Sequence, residues 1–226
     1  MIKYYKNLIL SLSEISGHPS LLIHGLMGCA FHCYHCFNYD EIIANKPEEY
    51  YTIEDVIRYI SKQQNLFDYI IFSGGEFLLA SIDDLIEDLS KVKSISGKPI
   101  IVYTTGIEYG KIKRLHELQL VDGFHMDMKL PYHLLSHEDK DLIELTMGIK
   151  VKDLSLFSTM LQSLDYIIKT DRGHSRFRSV AYPFVSESAF EENRLYINEL
   201  NRIHGKNVPY DVNPFVYVEG QKESLN

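Results

Sequence analysis

Hydrophobic residues along this chain recur in two alternating patterns. Short runs of β-branched and aromatic residues end in Gly, Ser or Thr, and each is followed by a stretch with apolar positions every three or four residues. The first pattern is typical of strands and the second of amphipathic helices. Such an alternation predicts βα units that feed a parallel sheet. Six strands are predicted, at residues 21–25, 68–75, 99–106, 122–129, 176–183 and 209–218.

The helical stretches carry recognisable ends. Thr52 and Ser81 stand at N-cap positions with acidic residues just after them, which favours helices over 52–64 and 81–97. A helix is predicted from residue 154, with Gly173 as its C-cap, because apolar residues keep a helical spacing there. The alternative, a strand at 164–169, breaks that spacing. A fourth helix is predicted over 186–205.

Six βα units are too few for an eight-stranded barrel of about 250 residues. The sequence therefore predicts an α/β fold, a partial (β/α)6 TIM-like barrel whose parallel sheet carries helices on its outside. No linker-like stretch divides the chain, so residues 1–226 are expected to form one domain, with a core over 20–218 and an N-terminal extension over 1–19. In such folds the chemistry lies after the C-terminal ends of the strands.

Composition excludes several classes of protein. A hydrophobic share of 45% and a charged share of 24% are those of an ordinary globular chain, and the longest apolar runs fall far short of the roughly 20 residues that cross a bilayer. A net charge of -8 without a long Lys/Arg run argues against nucleic-acid binding. The N-terminus lacks the features of a secretory signal, so we expect a cytoplasmic protein without a membrane partner.

All three cysteines of the chain, Cys29, Cys33 and Cys36, fall within eight positions directly after the first strand. An odd number of closely spaced thiols does not suit a disulfide framework. Structural zinc needs a fourth ligand, for which three histidines are near, but no second pair of ligands follows. A redox pair of the last two cysteines leaves Cys29 without a role, and three unrelated buried thiols remain a further alternative.

An iron-sulfur cluster uses all three cysteines. A cubane cluster normally takes four thiolates, one for each iron. With three, one iron keeps an open coordination position, at which a small molecule can bind.

The pattern CxxxCxxC after the first strand of such a chain resembles the radical S-adenosylmethionine (radical SAM) superfamily. The resemblance implies a 4Fe-4S cluster on Cys29, Cys33 and Cys36, and SAM bound through its amino and carboxylate groups to the fourth iron. It also implies an enzyme, in which one electron cleaves SAM to methionine and a 5'-deoxyadenosyl radical that abstracts a hydrogen atom from a substrate.

Two further features agree with this resemblance. Gly74-Gly75-Glu76, at the end of the second predicted strand, resembles the GGE motif that receives the amino group of SAM. Two glycines allow the backbone to approach a ligand closely, and the glutamate adds negative charge near an ammonium group. His35, just before the third cysteine, is implied to lie near the adenine; the alternative is a histidine on a surface loop.

The end of the fourth predicted strand narrows the resemblance. Asp127-Met128-Lys129 resembles the Asp-x-Lys motif of glycyl-radical-enzyme activases, in which the lysine contacts the carboxylate of SAM and the aspartate helps to build a small cation site. The alternative is a structural salt bridge. On the third strand, Thr104 stands where the family often has an acid, which puts that cation site in doubt, and Thr105 is implied to face the cofactor.

The group most similar to this chain is that of the longer anaerobic ribonucleotide reductase activating proteins. In that group the fifth strand carries an arginine, here Arg178, which is expected at the cofactor; the alternative is a solvated charge at the rim of the barrel. The resemblance implies a glycyl-radical enzyme as partner, such as anaerobic ribonucleotide reductase, and a low-potential electron donor such as flavodoxin or ferredoxin. Two alternatives stay open, a small-molecule enzyme similar to 7-carboxy-7-deazaguanine synthase and an electron-carrying module without catalysis.

Overall fold

The computed structural model describes residues 1–44 and 47–217, and within them the chain forms one seven-stranded sheet. The strands are β1 (Ile9–Ile15), β2 (His18–Gly25), β3 (Tyr69–Gly74), β4 (Ile100–Thr104), β5 (Gly123–Asp127), β6 (Arg176–Ala181) and β7 (Tyr210–Pro214). They lie side by side in chain order, with β1 antiparallel to β2 and with β2 to β7 all parallel.

Helices connect the parallel strands. Six α-helices are present in the described ranges: α1 (Ile53–Gln63), α2 (Ile82–Ser96), α3 (Tyr109–Glu117), α4 (Lys140–Met147), α5 (Ser155–Thr170) and α6 (Glu187–His204). Four short helical turns accompany them: a π-helical turn at Tyr39–Ala44 and 3-10 turns at Gln64–Leu66, Phe77–Leu79 and His137–Asp139. No helix in the part of the chain that the structure describes is long and apolar enough to cross a membrane.

The predicted fold class is confirmed. The six predicted strands correspond to β2–β7, and the sheet curls into a half-barrel with the helices outside. Among the described residues β1 and β7 are not paired, so the barrel stays open. Residue 218, the predicted end of the last strand, lies outside the described residues, and the strand that the structure describes ends at Pro214.

The N-terminal segment corrects the prediction that the core begins at residue 20. Residues 9–15 form β1, and Ile2 and Tyr4 are fully buried in the main core. The hydroxyl of Tyr4 donates a 2.7 Å hydrogen bond to the carboxylate of Asp88 on α2. The hydrophobic pattern does not reveal this strand, because β1 lies at an edge and both of its faces are largely exposed.

The predicted helix ends are confirmed at two N-caps. Thr52 forms a capping box with Asp55, and the side chain of Ser81 accepts a hydrogen bond from the first turn of α2. Residues 164–169 lie within helix α5, so the alternative prediction of a strand there is wrong. The prediction of Gly173 as its C-cap is wrong: α5 ends at Thr170, and the carboxylate of Asp171 turns the chain by accepting backbone hydrogen bonds from Gly173 and the next two residues.

The two faces of the sheet pack differently. Alternate strand residues on the outer face join the helices in the main core. The inner face has a small apolar cluster of its own, formed by Leu22, Ile71, Ile101 and Tyr103. Polar residues follow this cluster toward the C-terminal ends of the strands, where the candidate site lies.

Removal of the Tyr4 hydroxyl tests whether the N-terminal segment belongs to the core. We expect Tyr4→Phe to lower the free energy of unfolding by about 2 kcal/mol, because it leaves the buried Asp88 carboxylate without this donor. Tyr5→Phe is the matched control, since the Tyr5 hydroxyl makes only an exposed 3.4 Å contact with Glu41. Urea unfolding measures both; equal losses would contradict the assignment.

Candidate active site

One cavity of about 280 Å³ lies at the C-terminal ends of the strands. Ten of the eleven residues predicted for the site line it, and Glu76 is the exception. The ten are Cys29, Cys33, His35, Cys36, Gly74, Gly75, Thr105, Asp127, Lys129 and Arg178. Residues that are far apart in the sequence therefore meet at one edge of the sheet, as the strand-end rule predicts.

The three cysteines lie on the loop that follows β2, and none forms a disulfide. All three are partly buried. Burial raises the pKa of Cys29 to about 12 and that of Cys33 to about 11, the latter although Lys129 lowers it. The thiols are therefore protonated when no metal is bound, and metal binding must release their protons.

Backbone hydrogen bonds hold the cysteine loop on two sides. The Glu76 amide donates a 2.8 Å hydrogen bond to the Gly28 carbonyl, just before the first cysteine. On the other side the His32 amide donates a 2.9 Å hydrogen bond to the carbonyl of Met147, the last residue of α4. The positions of the cysteines are thus set by β3 and α4 as well as by β2.

The two motif glycines pack directly against this loop. Gly74 has a positive φ of 129°, and a Cβ on it would lie 2.3 Å from the Gly25 carbonyl oxygen. A Cβ on Gly75 would lie 2.0 Å from the Gly28 carbonyl oxygen, closer than any side chain permits. The side-chain amide of Asn38 donates a 2.6 Å hydrogen bond to the Gly74 carbonyl and closes the loop at its far end.

Glu76 lies behind the cavity wall. Its side chain is fully buried, and its carboxylate accepts hydrogen bonds of 2.6 Å from both the amide and the hydroxyl of Thr105 and one of 3.0 Å from the hydroxyl of Thr104. Burial raises the pKa of Glu76, and these donors oppose the rise. The predicted contact between Glu76 and an ammonium group stays a prediction.

Thr104 has a structural role that the sequence does not reveal. Where an acid would place a second negative charge beside Glu76, the threonine hydroxyl supplies a donor to the buried carboxylate. Thr105 reaches the cavity and supports Glu76 at the same time.

Asp127 joins two cations at the other side of the cavity. One of its carboxylate oxygens lies 3.0 Å from Lys129 Nζ and the other 2.9 Å from Arg178 Nε. Burial alone would raise the pKa of Asp127, but the two cations hold it below its usual range. Burial likewise would lower the pKa of Lys129, and Asp127 instead raises it well above the usual value. Lys129 is therefore a fixed positive charge in the cavity wall.

His35 lines the cavity from the cysteine loop and has a positive φ of 46°. Its ring packs edge-on against Phe215, with 5.8 Å between the ring centroids, and against Tyr217, at 5.3 Å. Its Nδ1 is buried and has no hydrogen-bond partner among the described residues. The predicted contact with adenine stays a prediction, and an aromatic wall with an available ring nitrogen is compatible with it.

The cysteines fit the needs of a 4Fe-4S cluster. A cubane needs one thiolate at each of three separate corners, and three cysteines along the wall of one cavity match that need.

Residues 25–134 match the family model described as the Radical SAM superfamily. The matched range contains the three cysteines, Gly74-Gly75-Glu76 and the Asp127–Lys129 segment. The matched segment has the sequence of a radical SAM domain. Members of this superfamily use a 4Fe-4S cluster and SAM, so Cys29, Cys33 and Cys36 are the residues that would hold the cluster.

Solved structures show the same fold. One described as native anSMEcpe with bound AdoMet and Kp18Cys peptide has a TM-score of 0.56 and 16% identity, over 92% of this chain and 54% of that one. A histidine-tagged form of anSMEcpe with bound AdoMet has a TM-score of 0.55 and 15% sequence identity, and the match covers 88% of this chain and 50% of that one. This chain thus spans about half the length of these proteins, and the likeness shows the fold alone.

A weaker likeness, with a TM-score of 0.48 and 11% identity, covers 74% of this chain and 37% of coproporphyrinogen III oxidase (HemN) from Escherichia coli, described as a radical SAM enzyme. No curated protein sequence matches the chain.

Sequence reasoning missed several residues that line or support the cavity. Tyr182 and Phe215 line the cavity just after β6 and β7, so the strand-end rule applied to every strand would have found them. No sequence motif marks Asn38, two residues after the last cysteine, as part of the site. The same is true of Tyr103, which has the pattern of an ordinary buried strand residue.

A side chain at Gly75 tests the packing of the motif on the cysteine loop. We expect Gly75→Ala to weaken iron uptake by at least about tenfold, because the added Cβ pushes the loop away at Gly28 and Cys29. Gly110→Ala is the matched control, since nothing lies within 4 Å of its added Cβ. Iron and sulfide per chain after anaerobic reconstitution give the measurement; full uptake by Gly75→Ala would contradict the role of this contact.

Proposed function

We propose that this chain is an activase for a glycyl-radical enzyme. In this proposal it cleaves SAM reductively, and the resulting 5'-deoxyadenosyl radical takes a hydrogen atom from the α-carbon of a glycine in a partner such as anaerobic ribonucleotide reductase. One C–H bond forms on deoxyadenosine as one breaks on glycine, so the unpaired electron remains on the partner.

The main support for the proposal is that three cysteines, two glycines with an accessible backbone and one lysine held by an ion pair all line the same cavity. When bound, a 4Fe-4S cluster supplies the electron that splits the carbon–sulfur bond of SAM. The cluster would receive this electron from a low-potential donor such as flavodoxin or ferredoxin. The residues of the chain bind and orient SAM.

Lys129 is the residue proposed to bind the carboxylate of SAM. Lys129 is only 6% exposed, and it lines the cavity. Its ammonium group lies 3.0 Å from the Asp127 carboxylate, and this contact fixes the directions of the other two N–H donors. A compact ammonium group suits a carboxylate as a point charge. Pre-positioning it avoids the cost of ordering a long side chain when SAM binds.

The backbone of Gly74 and Gly75 is proposed to receive the amino group of SAM. Without side chains, their peptide groups are accessible from the cavity, and the Gly74 carbonyl keeps one lone pair after accepting from Asn38. Glu76 acts from behind, through Thr105, whose hydroxyl and amide it fixes.

Two observations favour a protein substrate over a small molecule. The segment Asp127-Met128-Lys129 resembles the activase motif, and the described part of the sheet is open between β1 and β7. An open edge gives a polypeptide loop a lateral path to the cavity. The anSMEcpe structure described with both AdoMet and a peptide indicates that this fold can accept such a segment.

Cleavage of SAM is the first test of the proposed function. We expect the reconstituted, dithionite-reduced protein to convert SAM to 5'-deoxyadenosine, and Cys33→Ala to abolish this, because the variant supplies only two thiolates to the cluster. Anaerobic assay with chromatographic detection of deoxyadenosine makes the measurement, with oxidised protein as the control. Cleavage by Cys33→Ala at the parent rate would show the cluster assignment to be wrong.

The second test concerns the substrate. We expect a glycyl-radical enzyme from the same genome, when it is mixed with reduced protein and SAM, to acquire a doublet electron paramagnetic resonance signal. About one deoxyadenosine should form for each radical. Replacement of the radical-bearing glycine of the partner by alanine should remove the signal. Turnover of a small molecule such as a pterin, without any protein partner, would instead favour the synthase alternative.

A further inference from the structure

We propose that Glu14, on β1, is a positioning residue of the SAM site, which holds the guanidinium group of Arg178 at the floor of the cavity. The proposal rests on the proposed function, because Arg178 matters here through the SAM bound beside it. Glu14 lies outside the range 25–134 that matches the family and outside the core predicted from the sequence.

Glu14 reaches two strands on the inner face of the sheet. Its carboxylate accepts a hydrogen bond from the hydroxyl of Tyr103 on β4, and the same oxygen lies 3.9 Å from Nη1 of Arg178 on β6. Both side chains of the ion pair are only about one-quarter exposed, at 23% for Arg178 and 24% for Glu14. A pair so shielded interacts more strongly than one on an open surface.

The guanidinium group of Arg178 is fixed from three directions. Asp127 accepts a hydrogen bond from its Nε at 2.9 Å, Glu14 faces Nη1, and the ring of Tyr103 lies beneath it with 3.9 Å between the guanidinium carbon and the ring centroid. A planar group held by two carboxylates and an aromatic face has little freedom to turn. Its remaining N–H donors are available to the cavity that Arg178 lines.

Tyr103 is itself held in place. Its ring stacks on His125 of β5, with 5.0 Å between the ring centroids and 21° between the planes. Burial lowers the pKa of His125 to about 3, so this ring is neutral and adds no charge to the cluster. The hydroxyl of Tyr103 therefore offers Glu14 a rigid donor, and a rigid donor fixes the carboxylate that faces Arg178.

The charges of this network balance. Lys129 and Arg178 bring two positive charges, and Asp127 and Glu14 bring two negative ones. Without Glu14, Asp127 alone would attract both cations, and Arg178 would lose one of its three contacts. Because Asp127 also positions Lys129, a shift of Arg178 is transmitted to the proposed carboxylate site of SAM.

A double-mutant cycle tests the proposal. We expect Glu14→Ala and Arg178→Gln each to weaken SAM binding by about tenfold, the effect of one lost contact to a charged group. Because Glu14 acts through Arg178, the double variant should bind SAM no more weakly than Arg178→Gln alone. Equilibrium dialysis of labelled SAM with the reconstituted protein gives the dissociation constants, and iron content per chain should be unchanged throughout.

Asp68→Asn provides the matched control. Asp68 pairs with His18 at 3.1 Å where the β1–β2 hairpin turns, and it does not line the cavity, so SAM binding should equal that of the parent. Parent-like binding by Glu14→Ala would overturn this proposal alone. So would a further tenfold loss when Glu14→Ala is added to Arg178→Gln, which would indicate general damage to the fold. No SAM binding by the parent protein would overturn the proposed function as well.

Discussion

The close approach of two backbone segments is the constraint on which the rest of the site depends. Gly74, the last residue of β3, lies against Gly25 at the end of β2, and Gly75 lies against Gly28 of the cysteine loop, at distances that leave no room for a Cβ on either motif glycine. The Glu76 amide then bonds the Gly28 carbonyl. One contact thus sets both the height of the cysteines above the sheet and the exposure of the backbone that faces them.

The polar wall opposite depends on one shared anion. Asp127 satisfies Lys129 and Arg178 with separate oxygens, and each group is largely buried. Burying a charge without a partner costs several kcal/mol, whereas a hydrogen-bonded pair in good geometry offsets most of that cost. The site therefore keeps two cations near the cysteines without leaving either unpaired.

Sequence patterns predict much of this molecule because its elements are locally encoded. The strands β2, β3 and β4 are runs of largely buried residues, and α1 and α2 begin at N-caps that are visible in the sequence. Cysteine spacing likewise identifies the chemistry without tertiary information. What could not be predicted depends on contacts between distant residues. The hydrogen bonds from Thr104 and Thr105 that turn Glu76 away from the cavity span 28 and 29 residues. The exposed strand β1 gives no burial pattern to read.

The register of the sheet explains why the open barrel can carry a polar site. Leu22, Ile71 and Ile101 lie side by side across β2, β3 and β4 and form an apolar floor on the inner face. The next inner-face positions are His24 and Ser73 on β2 and β3, and Tyr103 and His125 on β4 and β5. Two residues beyond His125, Asp127 pairs with Arg178 across β5 and β6. Because parallel strands all end at the same edge, their polar residues collect there. Helices on the outer face provide the main core, so the inner face is free to bind ligands.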